Sequence, residues 1–172
     1  MLQDWNATER MLDSGGFESG QRMLVADAVV EASRSSARWL GTTYWLTVGR
    51  VSRGTVRTRW RGDRPSLTLL GGITLLSFGP PALEFSADLV SCRYTIEGGL
   101  LASRAGGSVT LAQRRVEDGF VLSVVVEEYL PRLAARAGAP GWTGALYAKC
   151  QSPFHAAVSR QYFDLLASRA VA

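Results

Sequence analysis

The chain has 172 residues, 47% of them apolar and 20% charged, with a mean hydropathy of +0.04; this length supports one core, and the balance excludes bulk disorder, a coiled coil and a bundle of membrane spans. A net charge of +4 rests on arginine, since Lys149 is the only lysine among 19 basic residues. These arginines run from Arg10 to Arg169 among 15 acids, without the basic run and interleaved aromatics of a nucleic-acid interface, so no specific nucleic-acid partner is expected.

Residues 1–20 are polar and glycine-containing and read as a flexible N-terminal arm, with one short helix around Thr8 to Leu12. They carry Asp4 and Glu9 but no apolar run, so no secretory signal is read there, and a cytoplasmic protein with reduced thiols is expected. Residues 21–172 read as a single domain. From Gln21 to Val30 both parities are apolar, which suits a strand covered on two sides. Asp27 falls inside that run and needs a partner or a chemical role, because burying a lone carboxylate is costly.

Thr42 to Val51 and Thr55 to Arg61 are rich in β-formers and flank Ser52-Arg53-Gly54, so a hairpin is expected. In its second half Arg57, Arg59 and Arg61 alternate with Val56, Thr58 and Trp60 and share one face. That stripe reads as solvated, with a polyanion surface as the sharper alternative. Leu67 to Leu70 and Ile73 to Phe78 follow, separated by Gly71-Gly72 and closed by Gly79-Pro80-Pro81. The long run from Leu83 to Ile96 changes apolar parity near Leu89-Val90, the signature expected of a β-bulge. Leu100 to Ser103, Ser108 to Val116 and Phe120 to Leu130 complete an antiparallel meander, turned at Gly106-Gly107 and at Glu117-Asp118-Gly119. Pro131 ends the last strand.

After a loop through Gly138-Ala139-Pro140-Gly141, a long helix is expected over 142–169. Leu146, Tyr147, Cys150, Phe154, Ala157, Val158, Tyr162, Leu165 and Leu166 form its apolar stripe. Ser152-Pro153 marks a kink or the start of a second helix.

These elements predict a β-rich α+β fold: a strongly curved antiparallel sheet or a small β-barrel around an apolar cavity, with a long C-terminal helix. The order of a meander, a strand closing in Val124-Val125-Val126-Glu127-Glu128-Tyr129-Leu130-Pro131-Arg132-Leu133, and a final helix resembles the second half of START-type helix-grip proteins, which include polyketide cyclases and lipid-transfer domains. The resemblance covers Thr55 to Ser168. It departs from the family near Ser33 to Thr43, where there is room for one of the two short helices the family has. A lipocalin-like barrel, the shape of some bacterial natural-product cyclases, is the rival. Either resemblance implies an apolar ligand held inside, and neither carries a catalytic residue across.

The chemical groups are few. His155 is the sole histidine, so multi-imidazole metal centres are excluded, and no GxSxG elbow supports a triad around it. Cys92 and Cys150 show no metal or disulfide spacing, and Cys150 sits five residues from His155, an offset that separates their helix faces. P-loop, GxGxxG and HExxH motifs are absent, and no cofactor or metal is expected. Glu127 and Glu128 are neighbours on a strand and point to opposite faces, which excludes them as a glycosidase pair. The candidate catalytic groups are Tyr94, Arg93, Glu127 and His155, with Tyr94 or Arg93 polarising a carbonyl. The candidate ligand-binding groups are Asp27, Tyr44, Trp45, Trp60, Tyr129, Tyr147 and Phe154. The expected function is binding of a polyketide-like or lipid-like molecule, extending to a cyclase that works by folding its substrate in an antibiotic-type secondary pathway. The alternative is a noncatalytic carrier or a protein-interaction domain.

Overall fold

The computed structural model describes residues 5–13, 16–70, 72–102, 104–129 and 142–170. Pro131 and the glycine-proline loop at 138–141 lie outside the described residues, as do Gly71 and Ser103. Among the described residues there are nine strands and two helices: β1 Trp5–Met11, β2 Phe17–Val25, α1 Arg34–Val51, β3 Val56–Arg61, β4 Arg64–Leu69, β5 Ile73–Phe78, β6 Ala82–Phe85, β7 Leu89–Gly98, β8 Ser108–Val116, β9 Gly119–Tyr129 and α2 Trp142–Ala170. The strands make one antiparallel sheet in the order β1-β2-β9-β8-β7-β5-β4-β3, with β6 also paired to β7. The sheet is curved and open, so the closed-barrel alternative is not formed; β1 and β3 lie at the two ends of the strand order.

Alternation decides which face is covered. Phe17, Met23 and Val25 of β2, Leu122 and Val124 of β9, Leu111 of β8 and Cys92, Tyr94 and Ile96 of β7 are buried, whereas Arg22, Leu24, Arg93, Thr95, Arg114 and Glu127 on the opposite parity are exposed. Both helices lie on the buried face, α2 against β2 and α1 against β7 and β3. The helices are joined through Tyr162, whose hydroxyl donates to the Leu40 carbonyl at 3.1 Å and whose ring meets Tyr44 edge-on at 5.4 Å. Trp45 centres the core, 4.6 Å from Phe78 and 5.3 Å from Tyr94. Edge-to-face aromatic pairs at these separations add about 0.5–1.5 kcal/mol each beyond burial.

Several expectations are corrected. Thr42–Val51 is helical, and β3 pairs with β4 instead. Tertiary burial overrides the β-propensity of Thr42, Thr43, Tyr44 and Trp45, because Ala37, Leu40, Gly41, Tyr44, Trp45 and Val48 fall on one helix face and all are buried. Ser33 caps this helix by accepting from the Ser36 amide at 3.1 Å. Thr42 and Thr47 turn their hydroxyls back onto the carbonyls of Arg38 and Thr43 at 3.1 and 2.8 Å, which satisfies them inside the helix. Ser52-Arg53-Gly54 terminates α1 rather than joining two strands.

The parity change near Leu89 has a different cause from the expected bulge. Residues 82–85 and 89–98 are separate strands paired as a hairpin, and Ser86 makes the turn by accepting from the amides of Asp88 and Leu89 at 3.4 and 3.2 Å. Leu100 and Leu101 are in a turn, not a strand. Residues 5–11 form a strand paired along its length with β2, not a helix around Thr8. The strand read over Gln21 to Val30 stops at Val25, with Arg22 and Leu24 exposed between buried neighbours. The segment after it is instead clamped by Gln113, whose side chain accepts from the amides of Val29 and Val30 at 2.7 and 3.0 Å and donates to the Val30 carbonyl at 2.8 Å. The C-terminal helix is continuous, with Pro153 inside it, rather than two helices.

Candidate functional site

The buried face of β2 carries Phe17, Ser19, Gln21, Met23 and Val25, so period two puts two polar side chains in positions that belong to the core. Gln21 is 0% exposed and Ser19 1%. Facing them is α2, where His155 and Ser159 are four residues apart and therefore share a helix face; Ser159 is also 0% exposed. The Gln21 amide Nε2 lies 3.2 Å from His155 Nδ1. Gln21 Oε1, His155 Nε2, Ser19 Oγ and Ser159 Oγ are all sealed from solvent and have no hydrogen-bond partner among the described residues. Leaving one such buried group unpaired costs about 1–3 kcal/mol, and native interiors pair the great majority of them. Four on two facing elements make this the most unusual polar cluster of the fold.

The electrostatics of the cluster follow from burial. Removal from water holds the imidazole of His155 down at about 4, and the charge of Glu9 works against that shift without cancelling it. Glu9 is paired with Ser19 across the β1–β2 ladder, which puts it on the same side of the sheet. His155 is thus neutral at pH 7, and with its Nδ1 accepting from the Gln21 amide its Nε2 carries the proton. The cluster then offers one N–H donor, one amide acceptor and two hydroxyls, none of them charged. Beyond it, Trp5 is paired with Met23 and stacks under the Arg160 guanidinium at 5.0 Å. Val124, Leu111 and Val126 continue the same sheet face with apolar surface.

The residues singled out from the sequence are distributed unevenly around this site. His155 is in it. Phe154, next to it on α2, is partly buried against the core. Tyr94 is 1% exposed and is packed with Tyr44 and Trp45 under α1, where burial pushes the phenols of Tyr44 and Tyr94 upward. Arg93 and Tyr94 are adjacent on β7 and face opposite ways, so they do not converge on one carbonyl. Glu127 and Asp27 are exposed, and Asp27 lies beyond the end of β2. Trp60 is 42% exposed at the sheet edge. The side chains of Tyr129, Tyr147 and Cys150 lie outside the described residues. Cys92 is buried, its thiol pushed up to about 11 by desolvation, the state of an inert core cysteine.

Sequence reasoning missed Ser19, Gln21, Ser159 and Glu9. A signal for the first two was available: they share the parity of Met23 and Val25, so the same alternation that assigns those residues to the core places a serine and a glutamine beside them. Among the described residues no cluster of histidine, cysteine and carboxylate side chains suits a metal ion. Elsewhere, a half-open cleft of about 280 Å³ between Ala28, Val30, Leu89, Val90 and Phe120 has Gln113 in its wall. Both ends of the Gln113 amide are engaged by the 29–30 backbone, so neither its oxygen nor its nitrogen is left without a partner.

No family model and no curated protein matches the chain. Among solved structures it is similar to CalU16 from Micromonospora echinospora, with 13% identity over 92% of this chain and 99% of that one and a TM-score of 0.33. At that score the backbones do not superpose closely, and no residue role is carried across.

Proposed function

We propose that this protein binds a mainly apolar small molecule bearing a neutral hydroxyl or carbonyl group, held between the covered face of the sheet and α2. The observation that carries the reading is the set of buried, unpaired hydrogen-bonding atoms on Ser19, Gln21, His155 and Ser159. A ligand hydroxyl accepts from His155 Nε2 and donates to Gln21 Oε1, which removes the desolvation cost of both at once. Neutral partners fit a neutral ligand group, because an ion placed here would lose its hydration without a countercharge inside the cluster.

The neutral, weakly basic imidazole supports binding over proton transfer, since a general base works best with a pKa near the operating pH. A cyclase of polyketide-like chains remains compatible with the site in one form, in which the walls hold a flexible substrate with its reacting ends together and contribute through proximity. Native mass spectrometry of the freshly purified protein tests for a copurifying molecule, and titration with the uncharged, hydroxyl-bearing fluorophore 1-naphthol tests uptake. Saturable uptake that is lost in Gln21→Leu supports the reading. A bare chain that takes up no fluorophore, or equal uptake by parent and variant, overturns it.

A further inference from the structure

At the end of the sheet near β3, three backbone segments are tied together. The Leu70 amide donates to the Thr55 carbonyl at 2.8 Å, and the Leu100 amide donates to the Thr74 carbonyl at 3.1 Å. The junction carries Leu70, Ile73 and Leu100, which are 78%, 53% and 49% exposed. The adjoining segments carry Arg50, Arg53, Arg57 and Arg104, all exposed. Arg57 is turned toward this end, its Nε donating to the Gly54 carbonyl at 3.1 Å. The stretches 50–57, 69–75 and 98–107 contain no aspartate or glutamate. Leu70 also sits at φ 48°, in the left-handed region that is uncommon for a residue other than glycine, asparagine or aspartate. A large aliphatic side chain is therefore held out into solvent on a strained backbone, next to segments that carry arginine and no acid.

From this juxtaposition we propose that the Leu70–Ile73–Leu100 tip docks on an anionic phospholipid bilayer. The three aliphatic side chains enter the headgroup–acyl boundary and the four arginines meet lipid phosphates. Apolar area and basic charge act together in this way at interfacial anchors, and each arginine near an anionic leaflet changes partitioning by about fivefold. The contact is peripheral: no helix of the described residues is long and apolar enough to cross a membrane. The arginines on these segments favour an anionic surface over a second copy of this chain, because two such tips would bring arginine against arginine.

The experiment is cosedimentation of the full chain with vesicles of phosphatidylcholine alone and of phosphatidylcholine mixed with phosphatidylglycerol. Binding to the mixed vesicles that weakens with added salt is expected, with little binding to phosphatidylcholine alone. Leu70→Asn places at φ 48° a residue that accepts that conformation, so its thermal midpoint should hold or rise while vesicle binding falls at least about fivefold. Arg53→Ser with Arg57→Ser should cost about twenty-fivefold on mixed vesicles. No binding to mixed vesicles, or variants that bind as the parent does, overturns the proposal. So does a parent that is dimeric by light scattering and becomes monomeric in Leu70→Asn, which would assign the tip to a second copy.

Discussion

Two glycines in α1 should respond to alanine with opposite signs. A β-carbon built on Gly41 falls 2.6 Å from Tyr94 Oη, 2.7 Å from Cys92 Sγ and 2.9 Å from Tyr94 Cε2. None of these can move away cheaply: Cys92 and Tyr94 are 0% and 1% exposed, and the Tyr94 ring is held edge-on against Trp45 at 5.3 Å. Overpacking of this kind costs about 1–3 kcal/mol, and lifting the helix off β7 would uncover the aromatic core as well. Against it stands the gain of about 0.5–1 kcal/mol for replacing a helical glycine by alanine. Gly41→Ala should therefore lose about 1–2 kcal/mol, a fall in Tm of about 2–8 °C for a chain of this size. At Gly49 on the same helix the nearest atom to a new β-carbon is the Val56 carbonyl oxygen at 3.8 Å, an ordinary contact, so Gly49→Ala should gain about 0.5–1 kcal/mol. Thermal and urea unfolding followed by far-ultraviolet circular dichroism read both. A Gly41→Ala protein as stable as Gly49→Ala would refute the close approach of α1 to β7.

The two buried glutamines should differ in what they cost. Gln21→Leu removes an amide oxygen with no partner but also the donor to His155 Nδ1, so stability should shift by no more than about 1 kcal/mol in either direction, whereas Gln113→Leu should cost about 3 kcal/mol by stranding the Val29 and Val30 amides; urea midpoints compare them directly. His155 predicts a pH dependence. Its folded value near 4 lies below the ordinary 6.5 or so, so the unfolded chain binds the extra proton first. Its contribution is complete above about pH 6.5 and is lost as the pH falls toward 4, by on the order of 2–3 kcal/mol. In His155→Phe the slope of stability against pH over that window should flatten, and an unchanged slope would assign the loss to other groups. Tyr162→Phe should cost about 1 kcal/mol by removing the bond to Leu40 that links the two helices, measurable in the same unfolding series.

Much of the architecture was legible because strict alternation survives wherever a strand has one wet face. Ser108–Val116 and the strand after it were readable from Leu111, Leu122 and Val124 on one parity against a mixed parity that includes Thr110, Ser123 and Glu127, and their turn from Glu117-Asp118-Gly119. Reading failed where two periods overlap. Thr42 to Val51 satisfies β-propensity and also places Tyr44, Trp45 and Val48 at helical spacing, and only the cap at Ser33 and the packing against β7 decide between them. Ser86 makes a hairpin turn without glycine, so the parity change beside it looked like a bulge. At the candidate site His155 was visible as the sole imidazole. Its partners were hidden because a buried glutamine looks, in sequence, like a surface one.

An open sheet leaves two edge strands, and β3 shows how one of them is kept from recruiting another chain. Arg57, Arg59 and Arg61 recur every second residue along it and are all exposed. A second β3 approaching in register to complete the ladder would bring guanidinium rows together, and that repulsion discourages growth of the sheet from molecule to molecule. The protection is electrostatic and so conditional. Polyphosphate, heparin or concentrated multivalent anions would bridge the rows, and the same strand would then become a seam along which copies could pair.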